Sequence, residues 1–119
     1  MGPSQGGRER TVERIADGGT ADDRVLAHLV RLGCDLAQPR EVSHYLYLPA
    51  RGGAAAIAAA LEGDAWQARL EECEDGSWLV VAARVRPLDA EIVRETRRTL
   101  EALASEHGGV YDGWEVRRD

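Results

Sequence analysis

The feature that most constrains this chain is the order in which strand-like and helix-like hydrophobic periodicities follow one another. After residue 38 they predict a strand at 39–49, a helix at 51–64, two strands within 65–87, a helix at 88–109 and a strand at 110–117. This β-α-β-β-α-β order is typical of the ferredoxin-like, split βαβ arrangement. We therefore predict an α+β domain whose antiparallel sheet has four strands, the first and third at its centre, with both helices on one face.

An additional helix is predicted before this unit, at residues 20–36. Thr20 is a suitable N-cap, apolar residues recur at helical spacing, and Gly33 suits the C-terminal end. Residues 1–19 are rich in Gly, Arg and Glu and predict a mobile tail, so the domain is expected to span 20–119. The helix either covers the sheet face opposite the other helices or extends the helical layer.

Alternation along the strands assigns side chains to the two faces of the sheet. In the strand at 39–49, His44 and its apolar neighbours share one face, and Tyr45 and Tyr47 lie on the other. In the strand after Gly76 we expect Trp78 on the same face as the tyrosines. Three aromatic rings on one face would form an exposed apolar patch, which favours placing the N-terminal helix over that face, opposite the other helices.

Two Asp-Gly pairs have different expected roles. Asp75-Gly76 lies between strand-like segments and predicts a hairpin turn. In "VYDGWEVRRD", residues 110–119, too few residues follow for a partner strand, so we expect a continuous strand. Simple alternation then places Asp112 and Trp114 on one face and Tyr111 and Gly113 on the other. Both a packed sheet edge and a partner-binding patch remain open for this segment.

The composition argues against several functions. The 21 acids and 15 bases give a net charge of −6, which disfavours the phosphate backbone as the main ligand. The three histidines form no metal-binding or catalytic motif, and His44 is expected to be a buried, hydrogen-bonded histidine. Cys34 and Cys73 match no metal or redox spacing. We therefore expect no enzymatic activity, no cofactor and no metal.

The same observations bear on location. The cysteines fit a reducing compartment, and no apolar run approaches the roughly 18 residues of a membrane span. The N-terminus has no signal-peptide pattern. A cytoplasmic protein with no membrane association is predicted.

An acidic run surrounds Cys73 at the predicted hairpin, formed by Glu71, Glu72, Glu74 and Asp75. Alternation divides these carboxylates between two faces, so a solvated acidic hairpin is favoured over a divalent-ion site.

Two segments, "VLAHLVRLGCDLAQPREVSHYLYLP" and "VYDGWEVR", together resemble the RraB-like family, the regulators of ribonuclease E activity B. The resemblance runs from about residue 20 to 119 with the Tyr-Asp-Gly-Trp tetrapeptide as its most specific part. It implies a ferredoxin-like fold and inhibition of ribonuclease E by direct protein binding, without catalysis or cofactor. The best-known members carry a long acidic extension after this strand, which the sequence here does not contain.

The preferred hypothesis is a noncatalytic protein-binding regulator of RNA turnover that binds a basic segment of ribonuclease E or a related nuclease. The residues predicted to contact the partner are Glu71, Glu72, Glu74, Asp75, Tyr111, Asp112 and Trp114. One alternative is an RNA-binding module that uses the aromatic sheet face. The other is a structural or self-associating domain that pairs through a sheet edge.

Overall fold

The structure is a computed structural model, and it describes residues 8–11 and 18–117. Every helix and strand predicted after residue 19 is present. In chain order the elements are β1 (Arg8–Thr11), α1 (Gly18–Arg31), β2 (Arg40–Leu48), α2 (Arg51–Glu62), β3 (Gln67–Glu72), β4 (Trp78–Arg86), α3 (Ala90–Glu106) and β5 (Val110–Arg117).

The strands form one sheet in the order β1-β5-β2-β4-β3, and all neighbours are antiparallel. The prediction of an α+β fold is confirmed, and β2 and β4 each have a neighbouring strand on both sides. The predicted number of four strands is wrong, because β1 pairs with β5, with Thr11 opposite Trp114. This strand and the start of α1 fall within the segment predicted to be a mobile tail. The mobility of the tail stays a prediction, because residues 1–7 and 12–17 lie outside the described residues.

Local chemistry sets the helix ends. Gly33 has φ +88°, and the N–H of Cys34 donates to the carbonyl of Leu29 at 3.0 Å, which closes α1 as a Schellman motif. Asp89 is the N-cap of α3, and its carboxylate accepts from the N–H of Glu91 at 2.8 Å.

All three helices lie on one face of the sheet. Two hydrophobic clusters show this. In the first, α2 and α3 pack on β2 and β4 through residues that include Leu46, Leu48, Ala54, Ile57, Leu61, Val80, Ala82, Leu100 and Ala104. In the second, α1 packs beside α3 on β2 and β5 through Val25, Leu26, Leu29, Val42, Leu88, Val93, Trp114 and Val116. The favoured placement of α1 over the tyrosines is therefore wrong, and α1 extends the helical layer.

The opposite face, which we call the open sheet face, carries the two tyrosines but not Trp78. In the β2–β4 register Trp78 lies opposite Leu48, and Leu79 lies opposite Tyr47. Opposed residues share a face, so Trp78 is on the helix-covered face with buried Leu48. The expected grouping of Trp78 with Tyr45 and Tyr47 is wrong.

The terminal Asp-Gly pair forms a β-bulge within β5. His44 lies opposite Trp114 and Leu46 opposite Tyr111, so three steps along β5 match two along β2. The extra residue is accommodated at Gly113, whose φ is +104°. The strand is continuous, as predicted, but the bulge interrupts the alternation. Tyr111 and Trp114 therefore lie on the same helix-covered face, and the prediction that they point to opposite faces is wrong.

Candidate functional site

The four predicted hairpin acids are exposed at one end of the sheet. Glu71 and Glu72 end β3, and Glu74 and Asp75 lie in the turn before β4. Glu71 forms a 2.8 Å ion pair with Arg69. Asp75 accepts from the hydroxyl of Ser77 at 2.6 Å and from its N–H at 2.9 Å. The hydroxyl bond is the main reason why the pKa of Asp75 lies below its ordinary value. We call residues 71–75 the acidic hairpin.

A groove of about 670 Å³ adjoins the acidic hairpin. We call it the end groove; its lining is Tyr47, Leu48, Pro49, Cys73, Glu74, Asp75, Ser77, Gly108, Gly109 and Val110. A Cβ on Gly109, the residue before β5, would collide with the carbonyl oxygen of Tyr47, so the close approach of the chain to β2 at this point requires glycine. The lining therefore combines two carboxylates with apolar surface and contains no basic residue.

Of the other three predicted contact residues, Asp112 and Trp114 are buried and Tyr111 is partly buried. The Trp114 side chain is 2% exposed and donates from Nε1 to Asp22 Oδ1 at 3.0 Å. Asp112 is 4% exposed, and the Tyr111 hydroxyl is hydrogen-bonded to His44 Nδ1 at 2.8 Å. The structure thus brings the four acids together but does not bring these three residues to the same surface. Partner binding stays a prediction for all seven.

A buried ion pair that the sequence analysis missed joins α1 to α3. Arg97 donates to Asp22 through Nε at 2.7 Å and Nη2 at 2.8 Å, and it also pairs with Glu101 at 3.1 Å. Its guanidinium lies 5.0 Å from the centre of the Tyr111 ring. Burial alone would lower the pKa of Arg97, but the hydrogen bond and charge of Asp22 outweigh it and raise that pKa.

The sequence did contain a signal for this pair. Arg97 and Glu101 stand four positions apart in the sequence, a spacing that places them on the same side of a helix. In the structure Arg97 belongs to the buried side of α3, at helical spacing with Val93, Leu100 and Ala104. An arginine within such a stripe indicates a buried acidic partner, because an unpaired buried charge is costly.

His44 is the hydrogen-bonded, buried histidine that was predicted. Burial lowers its pKa to about 3, and the nearby charges of Arg97 and Arg84 act in the same direction. The ring also makes an edge contact with Trp66, with 5.4 Å between centroids. His44 is therefore neutral near pH 7. Within residues 8–11 and 18–117, no group of three or more His, Cys, Asp or Glu side chains is placed to hold a metal ion.

The fold and its exposed acidic end define a small α+β domain with a five-stranded antiparallel sheet and three helices on one face. The family model for regulator of ribonuclease activity B, RraB, matches residues 20–116, and the chain belongs to this family. The resemblance seen in the sequence is thus confirmed, and the family name describes regulators rather than enzymes. No match was found among curated proteins.

None of the helices in the described part of the chain combines the length and apolar character needed to cross a bilayer.

Proposed function

We propose that this domain is a noncatalytic regulator that binds a ribonuclease directly, with ribonuclease E as the specific candidate, and thereby modulates RNA turnover. The observation that carries the proposal is the RraB family match over residues 20–116. A regulator of this kind needs an accessible binding surface, and the acidic hairpin and the end groove supply one.

The charge of the hairpin indicates the chemistry of the partner segment. Residues 70–83 contain four carboxylates and no basic side chain. Among the described residues, Glu72 and Glu74 pair with no cation, while Glu71 is held by Arg69. A local excess of one charge steers an oppositely charged partner and favours the correct encounter. The proposed contact is therefore an arginine-rich segment of the nuclease.

Two finer inferences accompany this proposal. We infer that β2 to β5 with α2 and α3 form a ferredoxin-like unit to which β1 and α1 are added. The order β5-β2-β4-β3, with the helices on one face, supports this. We also propose a cytoplasmic location, which is supported by the free thiols of Cys34 and Cys73.

The test is inhibition of ribonuclease E cleaving a short RNA, measured together with direct binding at low and high salt. Replacing Glu71, Glu72 and Glu74 by Gln should weaken binding by about 10-fold or more and flatten its salt dependence, because screened charge pairs are removed. A matched control is the triple variant Asp35→Asn, Glu62→Gln and Glu95→Gln, which removes as much charge from exposed sites outside the hairpin. The control should bind like the wild type. Failure of the wild-type chain to bind or inhibit the nuclease would refute the proposal.

RNA binding is the second candidate, and the position of Tyr45 and Tyr47 on the open sheet face favours it. Trp66, Trp78 and Trp114 belong to the helix-side clusters, so their fluorescence is a poor probe of that face. Anisotropy of a labelled single-stranded RNA is the better measurement. Saturable binding that survives physiological salt would support this alternative.

Self-association remains the third hypothesis. The strand β3 is at an edge of the sheet and its outer side has no neighbour among the described strands. The mass of the domain in solution, measured over a range of concentrations, distinguishes a monomer from a paired assembly.

A further inference from the structure

The open sheet face is arranged in rows of opposed residues. At the hairpin end, Val110, Tyr47, Leu79 and Glu71 follow one another across β5, β2, β4 and β3. The next row on β2, β4 and β3 contains Tyr45, Val81 and Arg69. No helix among the described residues packs on this face, which antiparallel sheets commonly leave to solvent. The rows there form an apolar and aromatic strip in which Tyr45, Tyr47 and Leu79 are partly exposed and Val81 is buried.

This strip is continuous with the end groove and with the acidic hairpin. Tyr47 and Val110 belong to both the first row and the groove lining, and Val110 is 56% exposed. Glu71 closes the row at β3, and Glu74 and Asp75 line the groove beside it. This surface combines a partly exposed apolar strip with nearby negative charge. It is therefore complementary to a segment that carries both apolar and positively charged side chains.

We propose that this combined surface, the row Val110–Tyr47–Leu79 with the end groove and the acidic hairpin, docks a protein segment in which arginines stand beside large apolar or aromatic residues. The inference rests on the proposed function and deepens it, since the segment belongs to the regulated nuclease. The guanidinium groups pair with Glu71, which ends the row on β3, and with Glu74 in the groove lining. The apolar side chains pack on the strip between Tyr47 and Val110.

The negative charge of the acidic hairpin favours a segment with arginines and apolar residues over other occupants. A nucleic acid would bring phosphates towards the four carboxylates of the acidic hairpin, which repel them. A second copy of the chain docked on the same strip would bring two acidic hairpins close together, and like charges at an interface are unfavourable. A purely basic segment would satisfy the acids but leave the strip exposed to water. Only a segment with both features matches the whole surface.

The test uses two short synthetic peptides with the full chain. In one peptide arginine alternates with leucine, and in the other the same number of arginines alternates with serine. The wild type should bind the arginine–leucine peptide about 10-fold more tightly, because only its leucines bury apolar surface on the strip. Equal affinity for the two peptides would overturn the proposal, and so would tighter binding of single-stranded RNA than of either peptide.

A pair of single variants locates the contact. Val110→Gln should lower the preference for the leucine peptide by about 3- to 10-fold, since a half-exposed valine becomes polar. Val85→Gln is the matched control, because Val85 is 61% exposed on β4 at the far end of the same face. It should leave the preference unchanged. An equal effect of the two variants would contradict the assigned position.

The nuclease assay separates the two proposals. If the wild type inhibits the nuclease and Val110→Gln inhibits equally well, this docking surface is wrong while the proposed function stands. If the peptides discriminate as expected but the nuclease is neither bound nor inhibited, the surface stands and the proposed function fails.

Discussion

At the scale of single residues, His44 is a buried group whose charge state affects stability. Its ring lies between Trp66 and Tyr111, with Nδ1 hydrogen-bonded to the tyrosine hydroxyl. Burial, together with the positive charges of Arg97 and Arg84, lowers its pKa from 6.5 to about 3. Burial also raises the pKa of Tyr111, so this hydroxyl keeps its proton throughout the physiological range.

The depressed pKa of His44 predicts a loss of stability in acid. Between pH 6.5 and about 3 the unfolded chain binds a proton at His44 and the folded chain does not. The free energy of unfolding should therefore fall as pH decreases through this window, by up to about 1.4 kcal/mol per pH unit from this residue alone. Above pH 6.5 the residue contributes no pH dependence.

The variant His44→Asn isolates this contribution. Asn retains a polar group near the Tyr111 hydroxyl but does not titrate, and all carboxylates are shared with the wild type. Urea unfolding at pH 7 and pH 5 should show a smaller decrease for the variant than for the wild type. The same decrease in both proteins would show that His44 is not held neutral by the fold.

At the scale of elements, the bulge in β5 decides which side chains reach the helices. Without the extra residue at Gly113, strict alternation would turn either Tyr111 or Trp114 onto the open sheet face. With it, both rings lie under the helical layer. Trp114 then reaches Asp22 of α1, and Tyr111 reaches His44 of β2.

Gly113→Ala should therefore be costly. At φ +104° an L-residue is strained, so we expect the variant to lose about 1–3 kcal/mol of unfolding free energy. The matched control is Gly52→Ala in the first turn of α2, where an added Cβ meets nothing within 4 Å. Alanine there should be neutral or stabilising by up to about 1 kcal/mol. A Gly113→Ala variant as stable as the wild type in urea unfolding would contradict the bulge.

The bulge also shows how far the sequence determines this structure. The order and type of the elements followed from periodicity and from capping residues such as Gly33. The bulge did not, because its position depends on how β5 pairs with β2 and not on β5 alone. The face of Trp78 was ambiguous for a similar reason. Both sides of β4 are apolar, so only the register with Leu48 and Tyr47 distinguishes them.

The candidate site was accessible to sequence analysis only in part. The acidic hairpin was recognisable because its charge and its Asp-Gly turn are local features. The apolar row that adjoins it was not, since it depends on residues from three strands meeting in one register. The Asp22–Arg97 pair spans 75 positions and depends on α1 joining the helical layer.

At the scale of the whole molecule, the placement of α1 gives the two sides of the sheet different roles. One side holds three helices, both hydrophobic clusters and the pair formed by Asp22 and Arg97. The other side carries the apolar row and adjoins the acidic hairpin. The contacts that keep α1 in the helical layer, including the bond from Trp114 to Asp22, thus also keep it away from the proposed docking surface.

The Asp22–Arg97 pair should accordingly control stability without taking part in docking. Arg97→Met leaves a buried carboxylate without its cation and should cost about 3–5 kcal/mol of unfolding free energy. Adding Asp22→Asn removes the orphaned charge and keeps an acceptor for Trp114 Nε1, so the double variant should be more stable than the single one. Urea unfolding measures both. At a temperature where both variants are folded, the arginine–leucine peptide should bind them like the wild type, because the open sheet face lies across the sheet from this pair. A double variant less stable than Arg97→Met would contradict the conclusion that Asp22 and Arg97 form a buried ion pair. Weakened peptide binding would show that α1, or its contact with α3 through this pair, takes part in docking.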